Sequence, residues 1–158
     1  MTLVNGLRLA YRGFVTGLAA GYAWLATAML AGMVLQADAL AALRPIVALL
    51  PAARHDSATA FVIGFAAVQL AAAGLGMLFA YFFARFFTVR STVALAAPCF
   101  ALLAWALLAA VIGERSDMTA GLALIPVLAT LAYGALLGAG LPLRGEVLRA
   151  APGSAGIG

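Results

Sequence analysis

Between residues 13 and 141 the chain carries four long apolar runs, at about 13–35, 58–84, 92–112 and 118–141, and none of them contains an Asp, Glu, Lys, Arg or His. Each is long enough to cross a bilayer core of roughly 30 Å, which takes about 20 apolar residues in helical conformation. Helix is the form required, because backbone N–H and C=O groups in lipid find no water and must satisfy one another within the segment. With 66% apolar residues, 9% charged residues and a mean hydropathy of +1.14, little sequence remains from which to build a soluble domain. The expected fold is therefore all-α: a single integral membrane domain over 1–158, built as a four-helix bundle, with 142–158 as a loose C-terminal tail.

The first run could be misread as a signal sequence, since Arg8 and Arg12 precede it and Ala37-x-Ala39 follows it. Its apolar stretch exceeds the roughly 7–15 residues of a signal core, so it is read as a retained helix. The links at 85–91 and 113–117 are short, and short links make consecutive helices antiparallel neighbours. Between the first and second runs lies a longer connection in which Leu40, Leu43, Val47 and Leu50 recur at helical spacing around Pro45 and Pro51. This predicts a short interfacial helix, bent at Pro45 and ended near Pro51.

The net charge of +4 comes from nine arginines and no lysine against five acidic residues. Arg8, Arg12, Arg85, Arg90, Arg144 and Arg149 fall at one end of the runs; Arg44, Arg54 and Arg115 fall at the other, beside Asp38, Asp56, Glu114 and Asp117. By the positive-inside rule both termini are expected in the cytoplasm. The Ala-rich, Arg-only composition suggests a GC-rich bacterium, and hence the inner (cytoplasmic) membrane. No clustered basic face offers itself to a nucleic acid.

The clearest local pattern is Gly13-x3-Gly17-x3-Gly21 on the first run, echoed by Gly134-x3-Gly138 on the fourth. Glycines four apart share one helix face and let a second helix come close. Two readings are open: packing inside the same bundle, or a docking face for another membrane protein. The polar residues carried into the runs are Thr16, Tyr22, Thr27, Gln69, Thr130 and Tyr133, with the indoles of Trp24 and Trp105. Gln69, near the middle of the second run, is expected to hydrogen-bond to another helix. Tyr81, Phe82, Phe86, Arg85 and Arg90 form an aromatic and basic group of the kind that anchors a helix at the headgroup level. Pro98 and Pro126 are expected to kink the third and fourth runs, and Cys99, the sole cysteine, reads as a small buried hydrophobe.

Chemistry is hard to place on this inventory. Ionisable residues at membrane depth normally carry ion relays and proton paths, and a coupled pump or exchanger is not expected without them. His55, flanked by Arg54 and Asp56, is the one histidine and cannot supply the pair of imidazoles that a membrane haem commonly takes. The chain is thus expected to hold no metal or cofactor by itself, while remaining compatible with a bound lipid or quinone. Without a nucleophile and base pair, it is not expected to be an enzyme.

The stretch Arg12-Gly13-Phe14-Val15-Thr16-Gly17-Leu18-Ala19, together with Leu131-Ala132-Tyr133-Gly134-Ala135-Leu136-Leu137-Gly138, resembles an uncharacterised family of small four-span bacterial membrane proteins. The resemblance extends loosely over 12–141. Members of that family often have a histidine at the start of the second span and another before the Tyr-Gly of the fourth. Here those places hold Ala60 and Leu131 or Ala132, so no ligand role carries over. The resemblance implies a companion of respiratory or other energy-converting complexes. The expected function is accordingly a non-catalytic accessory subunit of a larger electron-transfer complex, in contact with lipids and other membrane subunits. The alternative is a small homo-oligomeric transporter or channel for a neutral or lipophilic solute, with Gln69 and Thr130 lining its path.

Overall fold

The computed structural model describes residues 3–48, 57–84, 86, 87, 89–113 and 120–141. Leu50, Pro51, Arg54, His55, Asp56, Arg85, Glu114, Arg115, Asp117 and the tail at 142–158 lie outside the described residues. Among the described residues the regular structure is all helical: α1 (Leu3–Gln36), α2 (Arg44–Ala48), α3 (Ser57–Phe79) continued by a π-helical turn (Ala80–Ala84), α4 (Arg90–Gly113) and α5 (Ala120–Gly140). Three stretches, Gly6–Gln36, Phe61–Phe83 and Arg90–Ala110, are long and apolar enough to cross a membrane; the apolar stretch Leu124–Gly140 on α5 is shorter.

The first helix begins well before the predicted start at Gly13, so Arg8 and Arg12 stand on its early turns with exposed side chains rather than in a flanking loop. Its 34 residues rise about 51 Å at 1.5 Å per residue, more than the roughly 30 Å of a hydrocarbon core. At its other end Ala37 adopts a φ of 54°, and the Asp38 N–H reaches back to the Gly32 carbonyl at 3.3 Å. The reversal is so tight that a Cβ on Gly32 would lie 2.5 Å from the Asp38 carbonyl oxygen, so this position requires glycine. Asp38 then organises the turn: one carboxylate oxygen accepts the Leu40 N–H at 3.0 Å and the other pairs with Arg44 at 2.9 Å.

Pro45 does not bend a helix; it sits in the first turn of α2. A proline there forfeits no helical hydrogen bond, because the first N–H groups of a helix have no partner within it. Leu43 and Val47 are buried, and Val47 Cγ2 would come within 3.0 Å of a Cβ on Gly64, so the connection is folded down onto α3.

α1 packs against both α3 and α5, and α4 packs against α5. Gly13 faces Gly76 and Ala80 whereas Gly21 faces Gln69 and Ala72, so α1 and α3 are antiparallel. By the same register, Trp24 meets Thr130 while Thr16 meets Gly140, and Gly134 meets Pro98 while Gly138 meets Ala94. Consecutive long helices thus alternate in direction, which the short links lead one to expect for α3, α4 and α5. Their adjacency differs from expectation: α3 and α4 scarcely approach each other, although the link between them is short. Large rings account for the separation. Phe79, fully buried at the end of α3, stacks on Phe83 with centroids 5.8 Å apart, and Phe100 of α4 lies 5.3 and 5.4 Å from the two. Three phenyl rings between two backbones form a wedge at that end.

Candidate functional site

The predicted glycine faces are used inside the chain. A Cβ on Gly17 would fall 2.5 Å from the Ala72 carbonyl oxygen and 3.1 Å from Gly76 Cα, and one on Gly76 would fall 2.7 Å from Gly17 Cα. Gly13, Gly17 and Gly21 therefore lie backbone to backbone against Ala72, Gly76 and Ala80 of α3 and its π turn, the geometry in which dispersion and weak polar contacts hold helices in lipid. Gly134 and Gly138 do the same against Val93, Ala94, Ala97 and Pro98 of α4. The π turn places its side chains on two sides: Ala80 is buried against α1, while Tyr81, Phe82 and Phe83 are about half exposed.

Gln69 is buried, as its place in the second run suggests, but it lacks the expected partner. Both its amide oxygen and its amide nitrogen are enclosed without a hydrogen bond among the described residues. The reason is what lies opposite: Gly21, from which a Cβ would stand 2.6 Å from Oε1, offers only backbone groups already bonded along α1.

The satisfied polar contacts lie one layer away. The Trp24 indole N–H donates to Thr130 Oγ1 at 3.1 Å, tying α1 to α5, and the Tyr133 hydroxyl donates to the Ala72 carbonyl at 2.7 Å, tying α5 to α3. All three side chains are buried. They form the floor of a half-open cleft of about 130 Å³ between α3 and α4. One wall is Val68, Ala71 and Leu75 of α3; the other is Ala101, Ala104 and Trp105 of α4, and Ile46 of α2 closes one end. The aromatic wedge holds the two walls apart, and their small side chains leave the volume unfilled.

The remaining predicted residues are dispersed. Tyr81, Phe82 and Phe86 are 45%, 49% and 68% exposed, and the Arg90 guanidinium donates to the Ala139 carbonyl in the last turn of α5. A cation hydrogen-bonded there also complements the helix dipole. Thr16 turns its hydroxyl onto the Arg12 carbonyl of its own helix at 2.8 Å. Cys99 is exposed on the outer side of α4, not buried, because the face turned to α5 is the one carrying Val93, Ala97 and Ala101. Tyr22 is also on the outside, 58% exposed, with its ring 5.8 Å from Phe65.

Sequence reasoning identified Trp24, Trp105, Thr130 and Tyr133 as polar residues inside the runs without bringing them together. The signal missed was their depth. With α1 and α5 antiparallel, residues 24 and 130 fall opposite each other, as 16 and 140 do. No family model, curated protein or solved structure matches the chain.

Proposed function

We propose that this chain is a four-span bundle in the bacterial cytoplasmic membrane, with both termini in the cytoplasm, acting as a non-catalytic accessory subunit of a larger respiratory or electron-transfer complex. The observation that carries the accessory role is Tyr22. It lies halfway along the apolar stretch Gly6–Gln36, beside Gly21 at the depth of Gln69, and points outward. Its ring meets Phe65, but its hydroxyl makes no hydrogen bond among the described residues. A hydroxyl without a partner in hydrocarbon costs several kcal/mol at the upper end of about 2–7, and lipid tails offer it nothing. An acceptor on a neighbouring membrane subunit removes that penalty.

Large apolar side chains flank this position along the outside of α1, with Val15, Leu30 and Val34 all exposed. The link to an energy-converting complex rests on the resemblance at 12–19 and 131–138, and the orientation on the distribution of arginine.

The test is affinity purification of the tagged chain from its native membrane in mild detergent, read by mass spectrometry and by a visible absorption spectrum of the eluate. A stoichiometric membrane partner carrying haem or another pigment is expected, with its yield lowered by Tyr22→Phe while the fold is kept. A monodisperse, colourless chain without a partner defeats the proposal.

A further inference from the structure

We infer that the cleft between α3 and α4 is a binding site for a lipid-soluble quinone, whose ring rests on the Trp24–Thr130–Tyr133 floor and whose apolar tail leaves sideways between the two helices. The site is contained in this chain, so binding is independent of any partner subunit.

Size comes first. A dry apolar cavity of about 150 Å³ in another protein accommodates benzene, so the 130 Å³ here is room for a six-membered ring. The surroundings suit a flat ring: two indoles and the phenol ring of Tyr133 contribute to the lining, and alanines at positions 71, 101 and 104 keep the space between them open. Aromatic faces and edges favour a planar partner over a flexible one.

Polarity narrows the chemistry further. Thr130 Oγ1 accepts the indole N–H of Trp24, but the Thr130 hydroxyl proton has no acceptor among the described residues. Tyr133 is in the complementary state: its proton is spent on the Ala72 carbonyl, and its oxygen lone pairs remain able to accept. The floor therefore offers one donor and one acceptor at a depth where water does not supply either. A ring carbonyl satisfies Thr130, and a ring hydroxyl satisfies Tyr133, so both the oxidised and the reduced ring find a partner. A saturated acyl chain would satisfy neither.

The way in is lateral. Because the phenyl wedge keeps α3 and α4 apart, the cleft between them is half-open, with Ala71 and Leu108 of its lining exposed on the outer surface, and a ligand dissolved in the bilayer enters without crossing water.

The chain's two tryptophans, Trp24 and Trp105, both line the cleft, so intrinsic fluorescence reports on this site. The experiment titrates a short-tailed benzoquinone with a decyl chain into the full chain reconstituted in dioleoylphosphatidylcholine nanodiscs. Saturable quenching with one site per chain is expected. Thr130→Val should weaken the affinity about tenfold, the loss of one hydrogen bond, and Thr130→Ser should restore it. Ala104→Leu, which fills the cleft from the α4 side, should abolish the saturable component. Should that variant fail to fold by circular dichroism and gel filtration, Ala71→Leu fills the cleft from the α3 side. Quenching that rises linearly without saturation overturns the inference, as does saturable quenching unaltered in a folded cleft-filling variant. So does quenching by phospholipids brominated in the acyl chain that the quinone cannot relieve, which would identify the occupant as a lipid tail.

Discussion

Gln69 brings a primary amide into the seam between α1 and α3 and finds no hydrogen-bond partner among the described residues. Burying a polar group and leaving it unpaired costs its desolvation, whereas replacing it with an apolar group of similar shape removes that cost. Gln69→Met is therefore expected to raise stability by about 1–3 kcal/mol, measured by reversible unfolding in mixed micelles of increasing SDS content. A loss of stability of similar size would show that the amide is paired after all. The burial of Gln69 was legible, since it is the one amide in its run; its isolation was not, because that depends on which residue of another helix lies opposite. Cys99 teaches the complementary point. Its apolar character suggested burial, but with lipid as solvent an apolar side chain gains little by turning inward, and helix contacts alone decide which way it faces.

At the scale of helices, the seam between α1 and α3 is governed by the sizes of a few side chains. Gly74 and Gly76 are two residues apart on α3, yet a Cβ on Gly74 meets nothing within 4 Å while one on Gly76 runs into the backbone of Gly13 and Gly17. Gly74→Ala should accordingly be neutral or stabilising by up to about 1 kcal/mol through reduced freedom of the unfolded chain. Gly76→Ala should cost about 1–3 kcal/mol as the helices are forced apart. The same SDS titration compares them, and equal effects would mean that α1 and α3 do not pack through this face. The α1 half of the seam was readable as a glycine repeat. Its counterpart, Ala72-x3-Gly76-x3-Ala80, was equally present but submerged in an alanine-rich helix where several registers of small residues coexist. Likewise Pro45 was placed correctly in a short helix, but whether a proline begins a helix or bends one depends on where hydrogen bonding starts, and composition does not say.

For the molecule as a whole, helicity followed from apolar run length, and the alternation of α3, α4 and α5 from the short links between them. The order of the helices in space did not, because a short link limits the distance between two helix ends without requiring the rest of the helices to touch. The proposed crossing of α1 has a direct check. In a Cys99→Ser background, Arg12→Cys and Gln36→Cys, both at exposed positions, should react with a membrane-impermeant maleimide from opposite faces of the membrane. Gln36→Cys should react in intact cells and Arg12→Cys only after the membrane is opened. Labelling of both from one face would exclude a crossing by α1.

The attachment of α4 bears on how the chain is made. Within an 18-residue apolar window of α4 only 17% is buried in the chain, against 33% for those of α1 and of α3 with its π turn, and the helix it packs on is α5. Synthesis proceeds from the N-terminus, so α4 leaves the ribosome ahead of α5, the helix it packs on. Until α5 arrives, α4 has, among the described residues, only its ring contacts through Phe100 to hold it to the preceding helices, and the last helix completes two contacts at once, with α1 and with α4.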